Sequence, residues 1–122
     1  MKIVLKTSFD EIVKKDWKYI EKYSSSLIFQ SYEWNYNWYK CNNFKKKLRI
    51  FIIYKENKPI AIFPFIIERL LLFRFVKWIG HDLSDYLGPI FHKNYNFQRE
   101  NFNFLWEEIL RLLNGECDLI IL

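Results

Sequence analysis

The chain has 122 residues, 51% of them hydrophobic and 20% aromatic, with 19 lysines and arginines against 14 aspartates and glutamates. That is the size of one domain with ample apolar content for its own core, so residues 1–122 read as a single, ordered domain. Much of the basic excess sits in Lys45, Lys46, Lys47 and Arg49 rather than along a whole face, which speaks against a nucleic-acid partner.

That basic run reads as a solvated loop before a strand, with phosphate contact as the alternative. Three prolines and three glycines leave few sharp turns, so long elements joined by few loops are expected. Cys41 and Cys117 lie far apart in apolar surroundings and read as buried thiols, not as metal ligands or a disulfide. The N-terminal apolar stretch ends at Lys6, too early for a signal peptide. The longest apolar run, Pro59 to Ile67, falls well short of the roughly 20 residues of a membrane helix. The expectation is a cytoplasmic protein with no transmembrane segment.

In chain order, Lys2 to Lys6 is β-prone, and Ser8 with Glu11 reads as a capping box that starts a helix. Phe9, Ile12, Val13, Trp17 and Ile20 form its packing face, and it ends near Tyr23. From Phe29 to Cys41 aromatics alternate with polar residues as in a strand, yet Ser31 is a good N-cap and helix is the better reading. Trp34, Trp38 and Cys41 then share one face, with Tyr32, Tyr36 and Tyr39 beside it. The stripe reads as core; the alternative is that one edge of it, including Trp34, walls a substrate pocket.

Leu48 to Lys55 and Ile60 to Glu68 are apolar runs separated by E-N-K-P, which predicts an antiparallel hairpin. Their near-continuous hydrophobicity requires helices on both faces of the sheet. Pro64 predicts a bulge or an edge within the second strand. Leu70 to Phe73 bends the chain into a strand, Phe75 to Ile79, and Leu87 to Phe91 allows another short one. Phe102, Leu105, Trp106, Ile109, Leu112 and Leu113 predict an amphipathic helix closed by Asn114 and Gly115. Glu107 and Glu108 on that helix read as solvated, and His92 as a loop residue. Cys117 to Leu122 reads as a buried strand on which the chain stops, which suggests that a further half is missing. The fold class is α/β (α+β), a mixed, mostly antiparallel sheet flanked by helices.

Chemistry concentrates in Trp78 to Phe91, W-I-G-H-D-L-S-D-Y-L-G-P-I-F, where ionisable residues and glycines interrupt the apolar pattern at a strand end. His81, Asp82 and Asp85 supply a candidate base or bind a cationic acceptor, and Ser84 and Tyr86 are positioned in sequence to hydrogen-bond it. The opposing reading is that Asp82 and Asp85 cap turns beside Gly80 and Gly88. One histidine and two carboxylates make a weak metal set, and no metal is expected.

The strings F-Q-S-Y-E-W (Phe29 to Trp34), K-P-I-A-I-F-P-F (Lys58 to Phe65) and W-I-G-H-D-L-S-D-Y-L-G-P (Trp78 to Pro89), in this order, resemble the N-terminal half of FemAB-like and cellulose-biosynthesis-associated (CelD/BcsL-type) acetyltransferases of the GNAT superfamily. The resemblance implies a GNAT-like half, the first of two lobes, that forms part of the acceptor cleft of an acyl-CoA-dependent acyltransferase. For such a reaction the strand-end placement makes Asp85 and His81 the catalytic candidates, with Tyr86, Ser84 and Asp82, and Trp34 of the aromatic stripe, as candidates to bind the acceptor. Acetyl-CoA or another acyl-CoA is expected for the complete protein, with no cofactor held by this chain. The implied partners are a small-molecule acceptor or a cell-envelope or polysaccharide precursor, and either the C-terminal lobe or a second copy of the chain. A non-catalytic interaction module or homodimer-forming domain is the alternative.

Overall fold

The computed structural model describes residues 1–24, 28–42, 46–80, 88–95 and 98–122. In chain order they form β1 (Lys2–Lys6), α1 (Glu11–Lys22), a 3-10 turn (Ile28–Gln30), α2 (Tyr32–Asn42), β2 (Lys46–Lys55), β3 (Lys58–Leu70), β4 (Phe73–Trp78), β5 (Ile90–Phe91), α3 (Arg99–Leu113) and β6 (Leu119–Ile120). The sheet runs β1-β2-β3-β4-β6, with β5 also paired to β3, and every pairing is antiparallel except β4 with β6. This is the mixed, mostly antiparallel α/β architecture expected from the sequence.

The hydrophobic runs of β2 and β3 are explained by two separate cores. Side chains alternate across a strand, and Leu48, Ile50, Ile52, Ile62 and Ile66 pack beneath Val13, Trp17 and Ile20 of α1 and Tyr32 and Trp38 of α2. Phe51, Ile53, Phe63, Phe65 and Ile67 point the other way, against Leu105, Ile109 and Leu113 of α3. Ile60 and Ala61 both lie on the α3 side, because the β2–β3 register shifts at Ile53/Tyr54. The hairpin turns at Glu56 and Asn57, whose φ angles of 51° and 64° match the two-residue turn that follows strand twist.

Pro64 does not make the bulge. It stays in register with Ile50, and its carbonyl accepts the Ile79 amide at 3.0 Å. Having no N–H, it cannot return a bond to Ile79, and beyond it β3 changes neighbours from β4 to β5. The proline therefore marks where the chain leaves the sheet.

Several local expectations are corrected. Asp10, not Ser8, caps α1: its Oδ1 accepts the Val13 amide at 2.9 Å and its Oδ2 meets Lys6 Nζ at 2.9 Å. Ile12 faces solvent. Within α2 the buried positions are Tyr32, Asn35 and Trp38, and Cys41 is exposed. A polar Asn35 is tolerated there because its Nδ2 donates to the carbonyls of Phe29 (3.1 Å) and Ser31 (2.8 Å), holding the preceding turn against the helix. Of the basic run, Lys46, Lys47 and Arg49 belong to β2 and not to a loop, and Lys45 lies outside the described residues. Residues Cys117 to Leu122 form a two-residue strand with Leu119, Ile121 and Leu122 half exposed, not a buried strand, and Cys117 is only half-buried.

A buried polar pair ties α1 to the sheet. The Tyr54 hydroxyl of β2 donates to the Asp16 carboxylate. Burial and this carboxylate push the Tyr54 hydroxyl well above the usual phenol range.

Candidate functional site

The polar stretch leaves the sheet at the end of β4. Trp78 fixes that exit by stacking on Phe65, ring centroids 4.5 Å apart, and Ile79 is buried with its amide on the Pro64 carbonyl. Gly80 follows at φ 81°, in the left-handed region that a side chain disfavours.

At the far end, Ile90 is buried opposite Ile62, and the His92 amide donates to the Ile60 carbonyl at 2.9 Å. Just before it, Pro89 offers its carbonyl to Gln30 Nε2 at 3.0 Å. The Gln30 backbone carbonyl in turn accepts the indole N–H of Trp17, also at 3.0 Å. Exit and return thus lie on one flank of β3, opposite Pro64 and Ile62, two residues and roughly 7 Å apart along the strand.

Of the residues singled out in the sequence, His81, Asp82, Ser84, Asp85 and Tyr86 lie outside the described residues. Trp34 is described. Its amide donates to Ser31 Oγ at 3.1 Å, as an N-cap serine requires, and its half-buried ring meets Phe29 edge-on at 5.1 Å. The expected face of Trp34, Trp38 and Cys41 does not form one buried stripe.

A different edge of α2 lines a hollow. Tyr36, Tyr39 and Lys40 bound a space of about 300 Å³ with Thr7, Ser8 and Phe9. The Phe9 ring lies 5.4 Å from Tyr36 and 5.7 Å from Tyr39. It offers aromatic walls and one ammonium, with no carboxylate to act as a base.

Sequence reasoning gave Gln30 and Pro64 no role in the site. A glutamine inside F-Q-S-Y is a weak signal, and its partner Pro89 is 59 positions away. Pro64 was visible as an interruption, but only the pairing shows that it sets the exit. His92 is likewise more than a loop residue, since its ring stacks on Tyr23 at 5.2 Å and its Nδ1 accepts the Asn94 amide at 3.2 Å. Among the described residues no group of three or more His, Cys, Asp or Glu is arranged to hold a metal ion. Nor is any helix among them long and apolar enough to cross a membrane. Compared with family models, curated proteins and solved structures, the chain finds no match.

Proposed function

We propose that the chain is the N-terminal lobe of an acyl-CoA-dependent N-acyltransferase, of the FemAB-like acetyltransferase kind, and that it forms one wall of the acceptor cleft. The observation that carries this reading is the bracketing of His81 to Tyr86 between two ends fixed to one flank of β3. Ends held that way form a rigid base at the two sides of the stretch in which the sequence concentrates its ionisable residues. The element order, strand, helix, helix, hairpin, strand, short strand, helix, strand, is compatible with the GNAT-type half that the sequence resemblance implies. Fold likeness alone does not set chemistry, so the weight rests on the bracketed residues.

Acyl transfer to an amine needs a proton acceptor for the nucleophile and donors for the oxyanion that develops on the thioester carbonyl. In this reading Asp85 takes the proton, with His81 as the second candidate. Asp82, Ser84, Tyr86 and Trp34 orient the acceptor. The acyl-CoA belongs to a second lobe, since the sequence contains no R/Q-x-x-G-x-G/A turn to present amides to a pyrophosphate. Acetyl-CoA titrated into the 122-residue chain is expected to give no binding heat, whereas protein carrying the second lobe binds. Saturable binding by the 122-residue chain itself would contradict this division of labour.

The edge of the sheet favours a second reading. Among the described residues β6 has a strand partner on one side only, and Leu119, Ile121 and Leu122 are half exposed beside it. A non-catalytic interaction module, or a homodimer, would cover that edge with a partner's strand. Sedimentation separates the two: a well-behaved monomer at high concentration removes the homodimer.

A further inference from the structure

The hairpin between β3 and β4 turns through Leu71 and Leu72, with Leu70 and Phe73 paired at its base. Leu70, Leu71, Leu72 and Phe73 are 47%, 93%, 83% and 54% exposed. Four consecutive large apolar side chains are thus half to almost fully exposed at a tip about 20 Å along β3 from Pro64. Leu71 also has φ 56°, a conformation that favours glycine and disfavours a branched side chain. Its side chain therefore brings strain and almost no packing to the isolated fold, an arrangement that points to an external occupant.

Cations surround the same end of the sheet. Lys46, Lys47, Arg69 and Arg74 line a hollow of about 880 Å³ together with Leu71 and Glu116. Glu116 is already engaged by Arg49, whose Nε and Nη2 reach one carboxylate oxygen at 2.8 and 2.5 Å. Arg74 is partly used, with Nη1 on the Gly115 carbonyl at 3.0 Å and Nε 3.4 Å from Asp118. Among the described residues the side chains of Lys47 and Arg69 form no hydrogen bond or close ion pair, although the charge of Arg69 also acts on Asp118. Both are exposed.

We propose that this end of the sheet docks on an anionic phospholipid bilayer, with Leu71, Leu72 and Phe73 entering the acyl boundary while Lys47, Arg69 and Arg74 hold headgroup phosphates. An apolar wedge rimmed by cations is the combination that such an interface attracts, each part supplying what the other lacks. A free phosphate would use the cations and leave the leucines in water. A second copy docking symmetrically through this tip would bring the same cations face to face. The proposal is independent of the acyltransferase reading.

The test is flotation of the chain with phosphatidylcholine vesicles, with and without phosphatidylglycerol. The chain is expected to float with the anionic vesicles and far less with the neutral ones. Leu71→Ser together with Leu72→Ser should lower partition by about tenfold or more, since both side chains are lost from the apolar layer. Lys47→Gln with Arg69→Gln should reduce binding to the anionic vesicles only. Leu71→Gly separates docking from folding, because it should hold or raise the melting temperature while weakening vesicle binding. Absence of flotation with anionic vesicles, or flotation unchanged by the double serine variant, overturns the proposal. So does a dimer that the double serine variant turns into monomer without any vesicle binding.

Discussion

Gln30 is bonded to Pro89 across 59 residues of sequence, Nε2 to carbonyl at 3.0 Å, so the return end of the polar segment is tied to the turn before α2. That turn is itself held by Trp17, whose indole donates to the Gln30 carbonyl. Gln30→Ala leaves the Pro89 carbonyl without this donor and is expected to cost about 1 to 2 kcal/mol in chemical denaturation. A variant as stable as the wild type would show that the link does not hold the segment's end.

The cap of α1 gives a second prediction. Asp10→Ala should cost about 1 kcal/mol, whereas Ser8→Ala should stay within about 0.5 kcal/mol. Lys6 and the Val13 amide hold the Asp10 carboxyl below the usual carboxylate range. The associated stability is present above the unfolded pKa of about 3.9 and is lost as pH falls through the lower folded value. Asn is an equally good cap that does not titrate. Asp10→Asn should therefore flatten the acid limb of the stability curve, a difference that urea melts at stepped pH would record.

Tyr54 and Asp16 make a third. Tyr54→Phe deprives a buried carboxylate of its donor and should cost about 1 to 3 kcal/mol. The folded-state pKa of Tyr54 is raised, so its contribution is complete below the unfolded value of about 10 and is lost as pH climbs beyond it. The difference in stability between wild type and Tyr54→Phe should shrink in alkali. A difference that stays constant with pH would separate the two residues energetically.

The β2–β3 turn gives the fourth. Glu56 sits at φ 51°, where a short amide side chain is better tolerated than a long acid. Glu56→Asn is expected to raise stability by up to about 1 kcal/mol, read as a shift of the denaturation midpoint at constant slope. A lower midpoint would mean that the turn depends on Glu56 in some other way.

Much of this architecture was legible from pattern alone. The runs of β2 and β3 demanded cover on both faces, and α1 and α2 on one side with α3 on the other provide it. The hairpin, α3 and the left-handed Gly115 follow from local chemistry. What pattern did not reveal depended on distant partners. Ser8 and Asp10 are both good cap residues, and the bonds from Val13 and Lys6 decide between them. Asn35 and Asp16 look like surface residues until the carbonyls and hydroxyl that satisfy them come from other elements. Cys117 to Leu122 is apolar enough for a core strand, yet composition cannot tell a covered strand from an edge. Of the site, the sequence displayed the chemistry at His81 to Tyr86, while the anchors Pro64 and Gln30 emerge only from three-dimensional pairing.

Asp85 is proposed to serve acyl transfer and not the stability of the fold. The decisive measurement is acceptor-dependent release of free thiol from acetyl-CoA by protein carrying the proposed second lobe, alongside the melting temperature, for wild type and Asp85→Ala. Release is expected to depend on an amine acceptor and to fall by about a hundredfold or more in the variant, with the melting temperature unchanged. No acceptor-dependent release by the wild type, or parallel loss of rate and thermal stability in Asp85→Ala, would contradict it.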